Sequence, residues 1–164
     1  MNPTMSCDGA VQKALDLYPG QGCHCAEAVL KVMCEAYELN GEKCMWSAIG
    51  FNGGISGNQV ATCGALSGAV MALGFIYGCD STKQGEVKRQ RLAIQEDADA
   101  LFKGFVSRFG AISCRSLVGI DFTMPGEHQR FLQSDIRREK CYRYVDFVIR
   151  KFYELKGIRD GRKR

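Results

Sequence analysis

Residues 44–79 contain no Asp, Glu, Lys, Arg or His, although the rest of the 164-residue chain carries 22 basic and 18 acidic side chains. Within this stretch, the glycine-rich residues 53–58 predict an irregular loop, because paired glycines permit positive φ and break periodic structure. Residues 60–77 follow the loop, are apolar on nearly every side and predict a helix with neighbours all round it. We therefore expect a central buried helix, rich in glycine and alanine, with Cys63 in its first turn.

Apolar residues recur at helical spacing along most of the remaining chain. The predicted helices cover residues 7–17, 23–39, 60–77, 83–109 and 138–156, with short helical turns at 43–49, 113–117 and 127–134. No stretch alternates polar and apolar residues as a half-buried strand does. We therefore expect an all-α fold, a helical bundle around the central buried helix. In the helix at 83–109, the residues expected to face solvent are Arg89, Arg91, Glu96, Asp97 and Lys103.

The size and composition of the chain, with 46% apolar and 24% charged residues, are those of one globular domain. We expect residues 1–155 to form this domain and residues 156–164 to be a basic flexible tail, which accounts for much of the net charge of +4. The sequence shows no basic face with interleaved aromatic residues, so nucleic-acid binding is not predicted. Residues 60–77 barely reach the length of a membrane span and are diluted by Thr62, Ser67 and glycines, so no span is predicted.

The nine cysteines of the chain are a high and odd number. Residues 1–8 hold no basic run followed by an apolar stretch, so a secretory signal is not predicted and a cytoplasmic location is expected. Cysteines in that compartment stay reduced and more often bind metal or do redox chemistry than form structural disulfides.

Four of the cysteines, Cys25, Cys63, Cys114 and Cys141, lie within a turn or so of the start of a predicted helix. The free N–H groups and partial positive charge of a helix start lower the pKa of a thiol, and they also suit the sulfurs of an anionic metal–thiolate centre. The long connectors between the helices allow the four starts to meet at one end of the bundle. The alternative is four small apolar residues that fill a core, because free cysteine is often buried.

A resemblance is carried by five landmarks that occur in order. They are Cys25-Ala-Glu-Ala-Val-Leu30, Gly50-Phe-Asn-Gly-Gly54, Cys63-Gly-Ala-Leu-Ser-Gly68, Ser113-Cys-Arg-Ser-Leu117 and a final Cys141. Over about residues 10–155 the chain resembles the C_GCAxxG_C_C family of redox-active proteins. The resemblance implies a small domain whose four signature cysteines are Cys25, Cys63, Cys114 and Cys141.

Related domains in split-Soret cytochromes c imply that these cysteines hold an iron–sulfur cluster. The chain lacks a Cys-x-x-Cys-His string, so the haem half of those proteins is missing. The expected function is electron transfer through the cluster to a redox partner protein, and a homodimer is an allowed assembly. The alternatives are a metal-free thiol–disulfide protein, which the absence of a Cys-x-x-Cys pair disfavours, and a structural zinc site.

Five further cysteines lie outside the family pattern: Cys7, Cys23, Cys34, Cys44 and Cys79. Cys23 and His24 are alternative ligands beside Cys25. Two residues along a helix correspond to about 200°, so we expect Cys23 to point away from the site and Cys25 to be the ligand. We interpret His24 and His128 as surface residues. The loop at 53–58 lacks the Lys and Ser/Thr of a phosphate loop and is expected to pack around the cysteine centre.

Overall fold

A computed structural model describes residues 2–19, 22–78 and 80–161. In these ranges the helices are α1 Cys7–Leu17, α2 Cys25–Ala36, α3 Gly41–Met45, α4 Gly64–Tyr77, α5 Gln84–Phe109, α6 Cys114–Val118, α7 Glu127–Gln133 and α8 Tyr142–Gly161. A 3-10 helix, Trp46–Phe51, follows α3, and a π-helical turn, Arg137–Cys141, leads into α8. The described ranges contain no strand beyond one antiparallel bridge, between Thr62 and Ser113. The prediction of an all-α fold is confirmed.

The first helix, α1, has the bounds that the sequence predicts. Its apolar face is buried, and the helix packs against α2 and α8. The Ser6 hydroxyl accepts a hydrogen bond from the Gly9 N–H at 3.1 Å and so caps the first turn. The apolar period is a local signal, which is why the sequence alone located this helix.

The most extensive helix contact joins α2 to α4. It depends on Gly68, because a Cβ atom at this position would lie 2.5 Å from the carbonyl oxygen of Ala26. The small residues at the start of α4 therefore allow the close backbone approach that the sequence predicted.

This contact predicts opposite effects for two glycines of α4. Gly68→Ala should lower the free energy of unfolding by about 1–3 kcal/mol, because the added methyl group pushes α2 and α4 apart. Gly74→Ala should raise it by roughly 0.5–1 kcal/mol, because no atom lies within 4 Å of the added Cβ and alanine favours the helix. Urea unfolding measures both. Equal effects would contradict the close crossing.

The start and the exposure of α4 differ from the prediction. The helix begins at Gly64, four residues later than expected, and Val60 is 71% exposed. The delay has a physical reason: the preceding backbone is extended, and the Cys63 N–H donates to the carbonyl oxygen of Ile112 at 2.7 Å. The helix contacts α2, α5 and α8. Burial on every side is not confirmed, since Phe75 is 45% exposed.

The pairing of α5 with α8 corrects two predictions. Asp97, expected to face solvent, is only 6% exposed and accepts hydrogen bonds from the guanidinium of Arg159 at 2.5 and 2.9 Å. The last helix continues to Gly161, so residues 156–161 complete α8 instead of beginning a flexible tail. Lys156 is buried there and donates to Asp160 at 2.9 Å. Residues 162–164 lie outside the described residues.

Among the described helices, none combines the length and apolar character needed to cross a membrane.

Candidate four-cysteine site

The four cysteines that the sequence singled out line one cavity of about 460 Å³. Cys25 is the first residue of α2, Cys63 precedes α4, Cys114 is the first residue of α6, and Cys141 ends the π-helical turn before α8. Cys25 lies close enough to the other three that its ionised form would raise the pKa of each of their thiols. The structure therefore places the four predicted residues around one cavity, while their role as ligands stays a prediction.

Cys141 differs in its local structure from the expected helix start. The helical segment begins at Arg137, and Cys141 is the fifth residue of a π-helical turn. A π turn inserts an extra residue into a helix and is frequent at functional sites. A single sequence gives no periodic signal for this insertion, so the prediction missed it.

Cys63 and Cys114 are fixed side by side by main-chain hydrogen bonds. The Cys63 N–H donates to Ile112, and the Cys114 N–H donates to the carbonyl oxygen of Ala61 at 3.2 Å. Ser113 then caps α6, because its hydroxyl accepts from the Ser116 N–H at 3.2 Å, as predicted. Two segments distant in sequence therefore present their thiols to the cavity from adjacent positions.

Cys25 is held where the start of α2 meets the start of α4. A Cβ atom at Gly64 would lie 2.5 Å from the Cys25 sulfur, so only glycine leaves room for it. Asn52 fixes this corner: its Oδ1 accepts from the Ala26 N–H at 3.0 Å, and its Nδ2 donates to the buried Glu27 carboxylate at 2.7 Å. These contacts explain why the 3-10 helix and the loop after it pack against the start of α2.

The glycine loop lies against the cysteines, as the sequence predicted. Residues 53–57 all have positive φ, between 48° and 80°. A Cβ atom at Gly54 would approach the Cys114 Cβ to 3.1 Å. The left-handed backbone therefore allows the loop to fold closely over the site.

Burial raises the pKa of all four thiols. The pKa of Cys114 rises to about 11 and that of Cys141 to about 12, and those of Cys25 and Cys63 rise as well. Backbone N–H groups that donate to Cys25 and Cys63 lower the pKa, but the loss of water outweighs them. The expected lowering of the thiol pKa at helix starts is therefore wrong in this protein. Without a metal ion, the four sulfurs keep their protons at neutral pH.

Sequence reasoning missed several polar residues of the site. The Tyr18 hydroxyl lies beside the Cys141 thiol and the Gln59 amide beside the Cys114 thiol, and each polar group lowers the pKa of its neighbouring thiol. Gln59 lies in the charge-free stretch, where a buried amide is conspicuous, so this one signal was available. His24 and His128 are exposed, as predicted, but both also line the cavity.

The remaining described cysteines do not line the cavity. Cys23 is buried near Glu27, Lys31 and Glu42. The thiols of Cys34 and Cys44 are neighbours in the core; the first is fully buried and the second is 9% exposed. Cys7 is half-buried near Arg150, and Cys79 lies outside the described residues. The eight described cysteines are all free.

A family match adds to this geometry. The model of a family described as "Putative redox-active protein (C_GCAxxG_C_C)" matches residues 23–155. The chain belongs to the C_GCAxxG_C_C family. The matched segment contains all four cavity cysteines, so the family pattern and the cavity of this C_GCAxxG_C_C protein coincide. No curated protein and no solved structure matches the chain.

Proposed function

We propose that this C_GCAxxG_C_C protein binds an iron–sulfur cluster through Cys25, Cys63, Cys114 and Cys141 and transfers electrons. The observation that carries the proposal is that four thiols from four separate helical segments line one cavity. Four cysteines are the usual ligand set of both [2Fe–2S] and [4Fe–4S] clusters. When bound, the cluster supplies one-electron chemistry.

The surroundings of the sulfurs fit such a group. Backbone N–H groups face the sulfurs of Cys25 and Cys63, the Gln59 amide lies beside Cys114 and the Tyr18 hydroxyl beside Cys141, and each lowers the pKa of its thiol. Hydrogen bonds to sulfur stabilise the negative charge of a metal–thiolate centre and set its potential. The guanidinium of Arg137, which also lines the cavity, lies near Cys141 and offsets part of that charge.

The raised thiol pKa values distinguish the proposal from metal-free thiol chemistry. A thiol–disulfide protein needs a reactive thiolate at neutral pH, and burial disfavours that form at all four positions. Metal ions bind thiolates and displace the protons, so buried neutral thiols remain suitable ligands.

A structural zinc site is the alternative occupant of the cavity. Structural zinc is bound by four Cys or His side chains around one atom, with Zn–S distances of about 2.3 Å. Among the residues described by the structure, no group of three or more His, Cys, Asp or Glu side chains is placed to hold a metal ion. Metal analysis therefore distinguishes the cluster from zinc.

The protein's own part in electron transfer follows from the cavity wall. The sulfurs hold the group, and the donors around them favour its reduced, more negative state. Apolar side chains exclude water from one side of the cavity; they are Leu117, Val118, Phe122 and Phe131. The exposed rim, where His24 and His128 lie, is the side from which a partner exchanges electrons. We propose a redox protein as that partner and the cytoplasm as the location, where cysteines stay free.

The decisive experiment is metal analysis of protein purified or reconstituted without oxygen. We expect brown protein with sulfide-to-iron charge-transfer absorption and iron and sulfide in matching amounts. Dithionite should bleach the colour, and reoxidation should restore it. Colourless, iron-free protein after anaerobic reconstitution would falsify the proposal, and protein containing zinc alone would select the structural zinc site.

Gly64 provides a more local prediction. Gly64→Ala places a methyl group 2.5 Å from the Cys25 sulfur and should displace it. We expect at least about a tenfold loss of bound iron, because cluster binding requires each ligand sulfur to be correctly placed. Gly50→Ala is the matched control, since its Cβ meets no atom within 4 Å. Iron content and circular dichroism of both variants test this. Normal iron in Gly64→Ala would exclude Cys25 from the ligand set.

A further inference from the structure

Gln59 is fully buried and has a left-handed backbone with φ of 64°. Its N–H donates to the carbonyl oxygen of Gly53 at 2.9 Å, and its own carbonyl oxygen accepts from the Arg115 N–H at 2.9 Å. The main chain of Gln59 is therefore held between the glycine loop and α6, beside the cysteine cavity.

The side chain of Gln59 connects two further parts of the protein. Its Nε2 donates to the carbonyl oxygen of Ile120 at 2.9 Å, and its Oε1 accepts from the Phe122 N–H at 2.7 Å. The same side chain lies beside the Cys114 thiol and lowers its pKa, and the main-chain bond from Arg115 fixes Gln59 next to Cys114. A primary amide has two N–H hydrogens, so one group can serve both Ile120 and Cys114.

The segment that Gln59 holds forms the wall of the cavity, which we define as residues 117–132. The Phe122 ring lies 4.9 Å from the His128 ring and 5.0 Å from the Phe131 ring, and all three side chains line the cavity. The position of Phe122 therefore affects the whole rim. Gln59 fixes the main chain on either side of Asp121, at the Ile120 carbonyl oxygen and at the Phe122 N–H.

We propose that Gln59 is a positioning residue that couples the Cys114 sulfur to the cavity wall. Its amide holds the wall over the site and, through the same group, directs an N–H toward Cys114. Binding of a cluster at the four cysteines and ordering of the wall, residues 117–132, are then linked. Both require the same orientation of the Gln59 amide. The part that concerns a loaded site rests on the proposed function; the contact with the wall does not.

The first test uses metal-free protein and the variant Gln59→Met, which keeps the side-chain length and removes both polar ends. Amide hydrogen exchange at Phe122 should become about tenfold faster, the effect expected from losing a hydrogen bond to a buried partner. Alkylation of Cys114 by iodoacetamide, followed by mass spectrometry, should also become faster. Asn58→Ala is the control, because Asn58 is the exposed neighbour and should change neither rate. Unchanged exchange at Phe122 in Gln59→Met would overturn the proposal.

The second test compares reconstituted proteins. In the wild type, binding of the cluster should slow amide hydrogen exchange at Phe122. In Gln59→Met, cluster binding should slow this exchange less. The midpoint potential of Gln59→Met should be lower than that of the wild type, because a lost N–H···S bond destabilises the reduced centre. If the variant does not fold, the wild-type comparison alone remains decisive: equal exchange with and without the centre overturns the coupling. Failure of the wild type to bind iron would instead refute the proposed function, and the metal-free test would still stand.

Discussion

Replacing Cys25 with alanine should abolish iron and sulfide binding, whereas replacing Cys23 should leave it intact. Of these two cysteines, only Cys25 lines the four-cysteine cavity, where the backbone N–H groups of Gly53 and Ala65 face its sulfur and lower its pKa. Cys23 lies two residues earlier, before α2 begins, and is buried beside Glu27 and Lys31. The two variants differ in the position of the lost thiol and not in its chemistry, which makes them a matched pair.

Iron and sulfide analysis after anaerobic reconstitution measures the difference. Cys23→Ala should keep the full iron content and lose only about 1 kcal/mol of stability, the cost of a small buried cavity. Cys63→Ser should behave like Cys25→Ala, because it removes another of the four thiols that line the cavity. If Cys23→Ala lost the centre and Cys25→Ala kept it, Cys23 would be the ligand and the proposed ligand set would be wrong.

Asp97→Asn should lower the free energy of unfolding by about 3 kcal/mol, because the partly buried Arg159 guanidinium loses its buried carboxylate and keeps only the exposed Glu96, at 3.2 Å. Asp97 is 6% exposed and accepts two hydrogen bonds from Arg159. For a chain of this size, the melting temperature should fall by roughly 6–12 °C. Thermal and urea unfolding measure the change.

Asp99→Asn is the control, two residues along the same helix. Asp99 pairs with Lys103 at 2.7 Å, but both side chains are more than half exposed, so its loss should cost less than about 0.5 kcal/mol. Combining Asp97→Leu with Arg159→Met should recover much of the lost stability, because an apolar pair leaves no buried charge alone. Equal losses for Asp97→Asn and Asp99→Asn would show that burial of the ion pair does not matter.

The sequence predicted those parts of the fold that depend on neighbouring residues. The bounds of α1 follow from its apolar period, and the start of α6 follows from the Ser113 cap. The starts of α2 and α4 were placed too early, because His24 has an extended backbone and Thr62 forms the bridge to Ser113. In α4, the hydrogen bond of Cys63 with Ile112 sets the true start, and a helical period does not reveal a partner so distant along the chain.

For the site, the sequence identified the four cysteines but not their environment. Helix starts favour thiolates, yet the thiol pKa depends more on how much water the fold removes. Asp97 was expected on the solvated face of α5 because its partner, Arg159, lies 62 residues away. Gln59 was missed for the same reason, since its side chain contacts Ile120, 61 residues later. Long-range pairing of polar groups decided each of these cases.

The spread of the four cysteines along the chain has a consequence for biosynthesis. Cys25 lies in α2 and Cys141 just before α8, so the chain must leave the ribosome at least as far as Cys141 before the cavity has all its walls. A chain that has exposed only Cys25 and Cys63 has half the sulfurs and lacks the bridge from Thr62 to Ser113. Insertion of any group that needs all four thiols therefore cannot be completed until Cys141 has emerged. A nascent chain must keep its first two thiols reduced until the last arrives.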